Sequence, residues 1–196
     1  MLHNLEQNVS RESLEKLRAY DALLHKWQKT INLVSRNTLN ESWERHILDS
    51  VQVAENVSRE SSVLYDLGSG GGFPGLVISM LRPDLDIHLI ESDQRKCSFL
   101  RAVSRETQTP VTVHNARIET VELPAPDVVT ARALASLDVL LKYCEKWANP
   151  ALYALFLKGA RYEEEVDLAL KNYDVKTKVL PSQIASDSAI VRVDWS

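Results

Sequence analysis

One carboxylate and five glycines crowd into ten residues, Asp66-Leu67-Gly68-Ser69-Gly70-Gly71-Gly72-Phe73-Pro74-Gly75. The run follows the apolar Val63-Leu64-Tyr65 and precedes an apolar helical pattern. A glycine loop that binds a nucleotide requires this strand–loop–helix setting. Glycine permits positive φ and lets the backbone approach a ligand closely, and Pro74 suits the first turn of the following helix. Gly70, Gly72 and Gly75 satisfy the dinucleotide spacing G-x-G-x-x-G, which by itself is weak. Asp66 discriminates. A carboxylate at the strand end can meet the cationic amino group of a methionine moiety, directly or through water, and is less useful facing a pyrophosphate. Glu91 closes the next strand, where an acidic residue accepts hydrogen bonds from both hydroxyls of a ribose, in either ligand. The expected ligand is S-adenosyl-L-methionine, held by the loop 66–75, Gly70 included, and by Glu91. The bland alternative, a glycine turn with no ligand, leaves the entropy sacrificed by four glycines in five positions unexplained.

Further along, His114-Asn115-Ala116-Arg117-Ile118-Glu119 follows the third apolar run. Ile118 can pack on an adenine and Glu119 or the nearby backbone can read its amino group; an exposed helix start fits the spacing equally well. Two cations stand where strands end: Arg132 after the fourth run, and Lys158, followed by Gly159, after the fifth. Ligands of open α/β folds bind at that carboxyl edge. A guanidinium there can make bidentate contacts to guanine O6 and N7, a carboxylate or a phosphate.

What is missing narrows the chemistry. The segment Asp127-Val128-Val129-Thr130-Ala131-Arg132-Ala133 has no Asn/Asp-Pro-Pro-aromatic run, which disfavours methylation of an exocyclic amine. Cys97 and Cys144 both fall in helical patterns, so they read as core thiols rather than nucleophiles. No His/Cys/Asp cluster has metal-ligand spacing, so no metal is expected.

These residues must be positioned by a mostly parallel sheet. Short apolar runs at 63–67, 87–90, 111–113, 128–130 and 152–157 alternate with helical patterns near 76–81, 94–106, 136–147 and 162–170. That alternation implies βαβ units. Runs at 175–180 and 190–195 can close the sheet as a hairpin, for about seven strands in all. The fold class is therefore α/β, a Rossmann-like class I methyltransferase core over residues 61–196. Residues 1–60 form a helical extension: Leu14, Leu17, Leu24, Trp27 and Ile31 recur at helical spacing, a turn-like stretch covers 35–40, and 42–57 reads as a second amphipathic helix.

The 196 residues carry 23 Lys and Arg against 27 Asp and Glu, a net charge of −4. A nucleic-acid partner must therefore be met by a local basic patch or a surface shared with another component. No run approaches the length of a membrane span, the first residues lack a signal-peptide pattern, and two cysteines make no disulfide framework. The expectation is a cytoplasmic monomer.

Several segments together resemble the bacterial 16S ribosomal RNA guanine-N7 methyltransferase family, also called RsmG or glucose-inhibited division protein B. They are Asn32-Leu33-Val34-Ser35, Arg45-His46-Ile47-Leu48-Asp49-Ser50, the glycine loop through Leu76, Glu91-Ser92 with Lys96 and Phe99-Leu100, Arg117-Ile118-Glu119, Ala131-Arg132-Ala133 and Lys158-Gly159. The resemblance implies a cofactor site at Gly68, Phe73, Ile118, Glu119 and Arg132, and methylation at N7 of a guanosine in 16S ribosomal RNA of the small subunit. It also implies that 45–50 covers the cofactor mouth; by spacing alone Arg45 and Asp49 make an i,i+4 pair on a surface helix, and His46 receives no catalytic role. Thr130 stands where the family often has Ser, and the last strand lacks the basic ending common among relatives, which bears on RNA contacts at that end.

Guanine N7 carries a lone pair and no proton, so it needs no general base. Arg132 and Lys158 are accordingly expected to position substrate. Competing readings are a small-molecule methyltransferase with 1–60 as its lid, a non-catalytic cofactor-sensing module, and a nicotinamide-dependent oxidoreductase.

Overall fold

The computed structural model describes residues 9–196; the leader reading of the first residues falls outside that range. Seven strands form one sheet in the order β3-β2-β1-β4-β5-β7-β6. They are β1 (Val63–Leu67), β2 (Asp86–Glu91), β3 (Thr112–Asn115), β4 (Val128–Arg132), β5 (Tyr153–Lys158), β6 (Val175–Pro181) and β7 (Ala189–Trp195). The first five pair in parallel, and β7 runs antiparallel to both β5 and β6. The helices are α1 (Arg11–Trp27), α2 (Asp49–Glu55), α3 (Gly75–Leu81), α4 (Gln94–Glu106), α5 (Leu137–Cys144) and α6 (Tyr162–Asn172). All seven expected strands are present within a residue or two of the apolar runs.

Both faces of the sheet are covered, so side chains sort by strand parity. Leu64, Leu89, Val128 and Leu155 face one core, shared with Leu17, Tyr20 and Leu24 of α1 and with α2, α3 and α4. Tyr65, Leu67, Val129, Ala131 and Phe156 face the other, with α5 and α6. The N-terminal helices thus bury their apolar stripe in the same core as the sheet. Helix α1 starts where Ser10 accepts a hydrogen bond from the Ser13 amide, a side-chain cap, and stops at Trp27; Ile31 lies beyond it.

Two expectations about the extension change. The turn-like stretch is a 3₁₀ helix, Arg36–Glu41. The second amphipathic helix opens as a π-helical turn, Trp43–Leu48, before α2. The wide turn buries His46, Ile47 and Leu48 in succession, which an α-helical surface stripe would not do.

The strand order reverses between β1 and β4, whose neighbours lie on opposite sides. A crevice opens at the carboxyl ends of such strands, and the glycine loop and Arg132 emerge there.

Candidate active site at the strand-order reversal

The loop after β1 is shaped by close neighbours. Gly68, Gly70 and Gly72 have φ of 62°, 55° and 94°, values that side-chain-bearing residues seldom adopt. At Gly72 a Cβ would lie 2.4 Å from Leu76 Cδ1 and 2.8 Å from the Tyr20 hydroxyl. The Tyr20 hydroxyl donates to the Gly71 carbonyl, so α1 holds the loop directly. Glu91 holds it from the other side: its carboxylate accepts from the Gly70 amide at 2.9 Å and the Asp93 amide at 2.8 Å.

Asp66 lies beneath the loop with no exposure. The β1–β4 register sets it beside Thr130, whose hydroxyl donates to Asp66 Oδ1 at 2.8 Å. Oδ2 is buried without a hydrogen-bond partner, against the position of Gly75. Burial pushes the Asp66 carboxyl up to about 6, opposed by hydrogen bonding from Thr130, then by Ser69 and the nearby Gly75 amide, and last by the Arg132 charge.

A cavity of about 650 Å³ opens over the loop. Gly68, Ser69, Gly70, Gly71 and Phe73 form its floor, and Asn32, Ser35, Thr38, His46, Asp49 and Arg132 stand around it. Arg132 is the hub. Its Nη1 donates to His46 Nδ1 at 2.8 Å and to the Arg45 carbonyl at 3.3 Å, Asp49 Oδ2 is 3.9 Å away, and the guanidinium lies 4.7 Å over the Phe73 ring. His46 Nδ1 must therefore be an acceptor, so the ring proton is on Nε2, which donates to Thr38 Oγ1 at 2.9 Å. Thr38 in turn donates to the Ser35 carbonyl at 3.0 Å. Burial and the Arg132 charge depress His46 to about 3, so the ring stays neutral. Ala133, next in the chain, is held at φ 52°, which bends the backbone off the sheet just after Arg132.

The sequence-based pairing of Arg45 with Asp49 is replaced. Arg45 lies 3.5 Å from Glu41 and Asp49 turns to Arg132, because the π turn shifts the angular phase of the segment. Arg45, His46 and Asp49 line the cavity, while Ile47 and Leu48 between them are buried in the core.

Lys158 also lines the cavity, but its Nζ is committed elsewhere. It donates to the Ala135 carbonyl at 2.7 Å and meets Glu165 at 2.6 Å. Glu165 in turn accepts from the Leu137 amide at 2.7 Å, capping α5. The pair is a strut for the loop 133–136 more than a free cation. Lys158→Ala is expected to destabilise the fold by about 2 kcal/mol, since it strands a partly buried carboxylate, and to lower the melting temperature by roughly 5 °C. The affinity for S-adenosylhomocysteine, measured by calorimetry, should change little.

Ile118 and Glu119 stand outside this cavity, in a short 3₁₀ turn beyond β3. The Ile118 carbonyl accepts from Lys146 Nζ at 2.6 Å, and Glu119 is exposed. Cys97 and Cys144 are buried, and burial pushes the Cys144 thiol up to about 12. Among the described residues no group of three His, Cys, Asp or Glu side chains is arranged to hold a metal ion.

Sequence reasoning missed one wall, the connection between β6 and β7. Ser182, Ile184, Asp187 and Ser188 line the cavity. Buried Gln52 latches this connection, accepting from the Gln183 amide at 2.7 Å. The only local signal was a run of Ser and Asp, which reads as a turn.

The family model described as GidB, rRNA small subunit methyltransferase G, matches residues 13–189. Two curated relatives carry the name ribosomal RNA small subunit methyltransferase G. That of Parvibaculum lavamentivorans is 48% identical over 191 residues, 95% of this chain and 84% of its own. That of Paramagnetospirillum magneticum is 50% identical over 181 residues, 90% of this chain and 86% of its own. The chain belongs to the GidB family.

The fold of this GidB-family chain is that of class I methyltransferases. A SAM dependent methyltransferase from Aquifex aeolicus superposes with a TM-score of 0.64 at 15% identity, covering 89% of this chain and 98% of the other. Of the segments through which the sequence resembled the GidB family, Asn32 and Ser35, His46 and Asp49, the glycine loop, Lys96, Arg132 and Lys158 line one cavity, whereas Glu91, Phe99 and the 117–119 segment lie outside it.

Proposed function

We propose that the protein transfers the methyl group of S-adenosyl-L-methionine to N7 of a guanosine in 16S ribosomal RNA of the small subunit, acting as a cytoplasmic monomer. The chain fits the methyl donor. The loop offers open backbone at Gly70, where a Cβ would meet only the Gly68 carbonyl, at 3.6 Å. Asp66 supplies a buried carboxylate beneath it whose Oδ2 makes no full hydrogen bond, and Glu91 is fixed at the end of β2. Gly68, Gly70 and Phe73 would hold the methionine half, backed by Asp66; the adenosine half would extend beyond the cavity, past the ends of β2 and β3, to Glu91, Ile118 and Glu119; Arg132 would border the reacting end. The donor supplies an electrophilic methyl carbon on a sulfonium.

The observation that carries the reaction type is the chain from Arg132 through His46 to Thr38. Both nitrogens of the cavity imidazole are engaged, and the ring is neutral with its lone pair directed at a guanidinium. It cannot take a proton from substrate. Guanine N7 asks for none, so alignment of nucleophile and methyl does the work. Arg132 keeps further N–H groups on a planar fork, which suits guanine O6 or a phosphate. Because positive charge grows on the purine, Arg132 orients rather than stabilises. The target base must leave its stack to enter the cavity.

Methyl-labelled S-adenosylmethionine, isolated small subunits and naked ribosomal RNA test this. The expected result is label in 16S RNA, mapped as N7-methylguanosine. Label in a small molecule instead, or cofactor binding with no transfer to any RNA, would overturn it.

A further inference from the structure

A second cavity, of about 720 Å³, adjoins the first and shares Asn32 and Ser35 with it as a common wall. Its lining is polar and basic: Gln28, Lys29, Thr30 and Arg36 complete it with Ile31. Lys29, Thr30, Asn32, Ser35 and Arg36 are all exposed. Among the described residues neither Lys29 nor Arg36 forms an ion pair; Lys171 and Lys176 on the far side are likewise exposed and unpaired, but Lys29 and Arg36 line a cavity that shares a wall with the first. Two cations beside the mouth are left without an anion.

The segment carrying them is braced. Gln28 Oε1 accepts from the Leu33 amide at 2.8 Å and the Val34 amide at 3.1 Å, and its Nε2 donates to the Val34 carbonyl at 2.7 Å. Leu33 rests on the glycine loop, where a Cβ at Gly71 would lie 3.2 Å from the Leu33 carbonyl. The groove is thus registered to the reaction centre through backbone contacts.

We propose that this groove is the track for the RNA backbone leaving the target nucleotide, with Lys29 and Arg36 on successive phosphates and the Asn32 and Ser35 side chains at the crossing into the cavity. The proposal rests on the RNA reading above and adds where the strand runs. A net charge of −4 gives no general attraction to RNA, so affinity must come from such local contacts. Exposed cations without partners give up no existing ion pair when they neutralise phosphate, and each phosphate they neutralise releases a counterion. The segment sits on the N-terminal extension, so the extension supplies substrate binding as well as core.

Binding of the full chain to purified small ribosomal subunits, measured by sedimentation between about 50 and 200 mM salt, tests the track. The variant Lys29→Ala/Arg36→Ala should bind about tenfold more weakly near physiological salt. Its log–log salt slope should be shallower by about 2, roughly one for each cation removed. A Lys171→Ala/Lys176→Ala variant, with the same charge change on α6 and β6, should keep the wild-type slope. An unchanged slope in the groove variant, or an equal loss in the remote one, overturns the proposal. Methyl transfer is scored separately: a groove-dependent slope in a protein that methylates no RNA would leave the track standing and remove the activity.

Discussion

Arg132→Ala should lower kcat/KM for methylation of the small subunit by about 10²-fold, the cost of losing alignment at a reacting centre. The guanidinium joins β4 to the π turn through His46 and the Arg45 carbonyl, lies over Phe73 of the glycine loop, and faces Asp49. Its removal frees His46 Nδ1 and takes away the charge that offsets the burial of Asp49, whose carboxyl burial already pushes up. Arg132→Lys should recover little. A lysine ammonium is a point charge and cannot reach two acceptors while lying flat on an aromatic ring. Single-turnover transfer with saturating donor, compared with equilibrium binding of S-adenosylhomocysteine, separates alignment from affinity. The expected pattern is a large loss in rate and a small one in binding. Transfer within threefold of wild type would remove Arg132 from the mechanism.

Asp66→Asn should stabilise the free protein at neutral and alkaline pH. In the unfolded chain the carboxyl ionises near 3.8, whereas the folded chain holds the proton to about 6. The folded-state value is raised, so stability is fully present below the lower value and is lost as pH rises through the upper one. Above it the folded protein carries a buried carboxylate at a cost on the order of 3 kcal/mol. An amide never ionises, yet its oxygen can still accept from Thr130. The variant should therefore melt higher than wild type at about pH 8, with the difference vanishing near pH 4. S-adenosylhomocysteine should reverse the order, since its ammonium favours the ionised carboxylate that the variant lacks. Thermal melts across pH, with and without that ligand, read both effects. A pH-independent difference would show that Asp66 does not titrate in this range.

These two residues also mark the boundary between what a sequence encodes locally and what folding assembles. The strands and helices were legible because hydrophobic period is a local property. Runs at 63–67 and 94–106 coincide with β1 and α4. The glycine loop was legible because positive φ and close packing demand one residue type. The segments resembling the GidB family marked much of the cavity lining, since they include Asn32, His46, Asp49 and Arg132.

Contacts between distant segments were not legible. Arg132 and Lys158 both stand at the carboxyl edge, as their places at strand ends required. Register pairs Arg132 with Leu157, so Lys158 falls one residue out of phase and points to the opposite face. Arg132 consequently meets His46 beside the N-terminal segment, and Lys158 meets Glu165 of α6. The same parity turns Asp66 inward onto Thr130, directly beneath the loop. The π turn exchanges the partners of Arg45 and Asp49, and buried Gln52 draws the β6–β7 connection over the cavity. The sequence alone determined the elements, the loop and the family, because period and backbone preference act over a few residues. Only the tertiary structure decided which charged groups meet, because one residue of strand register moves a side chain from one side of the sheet to the other.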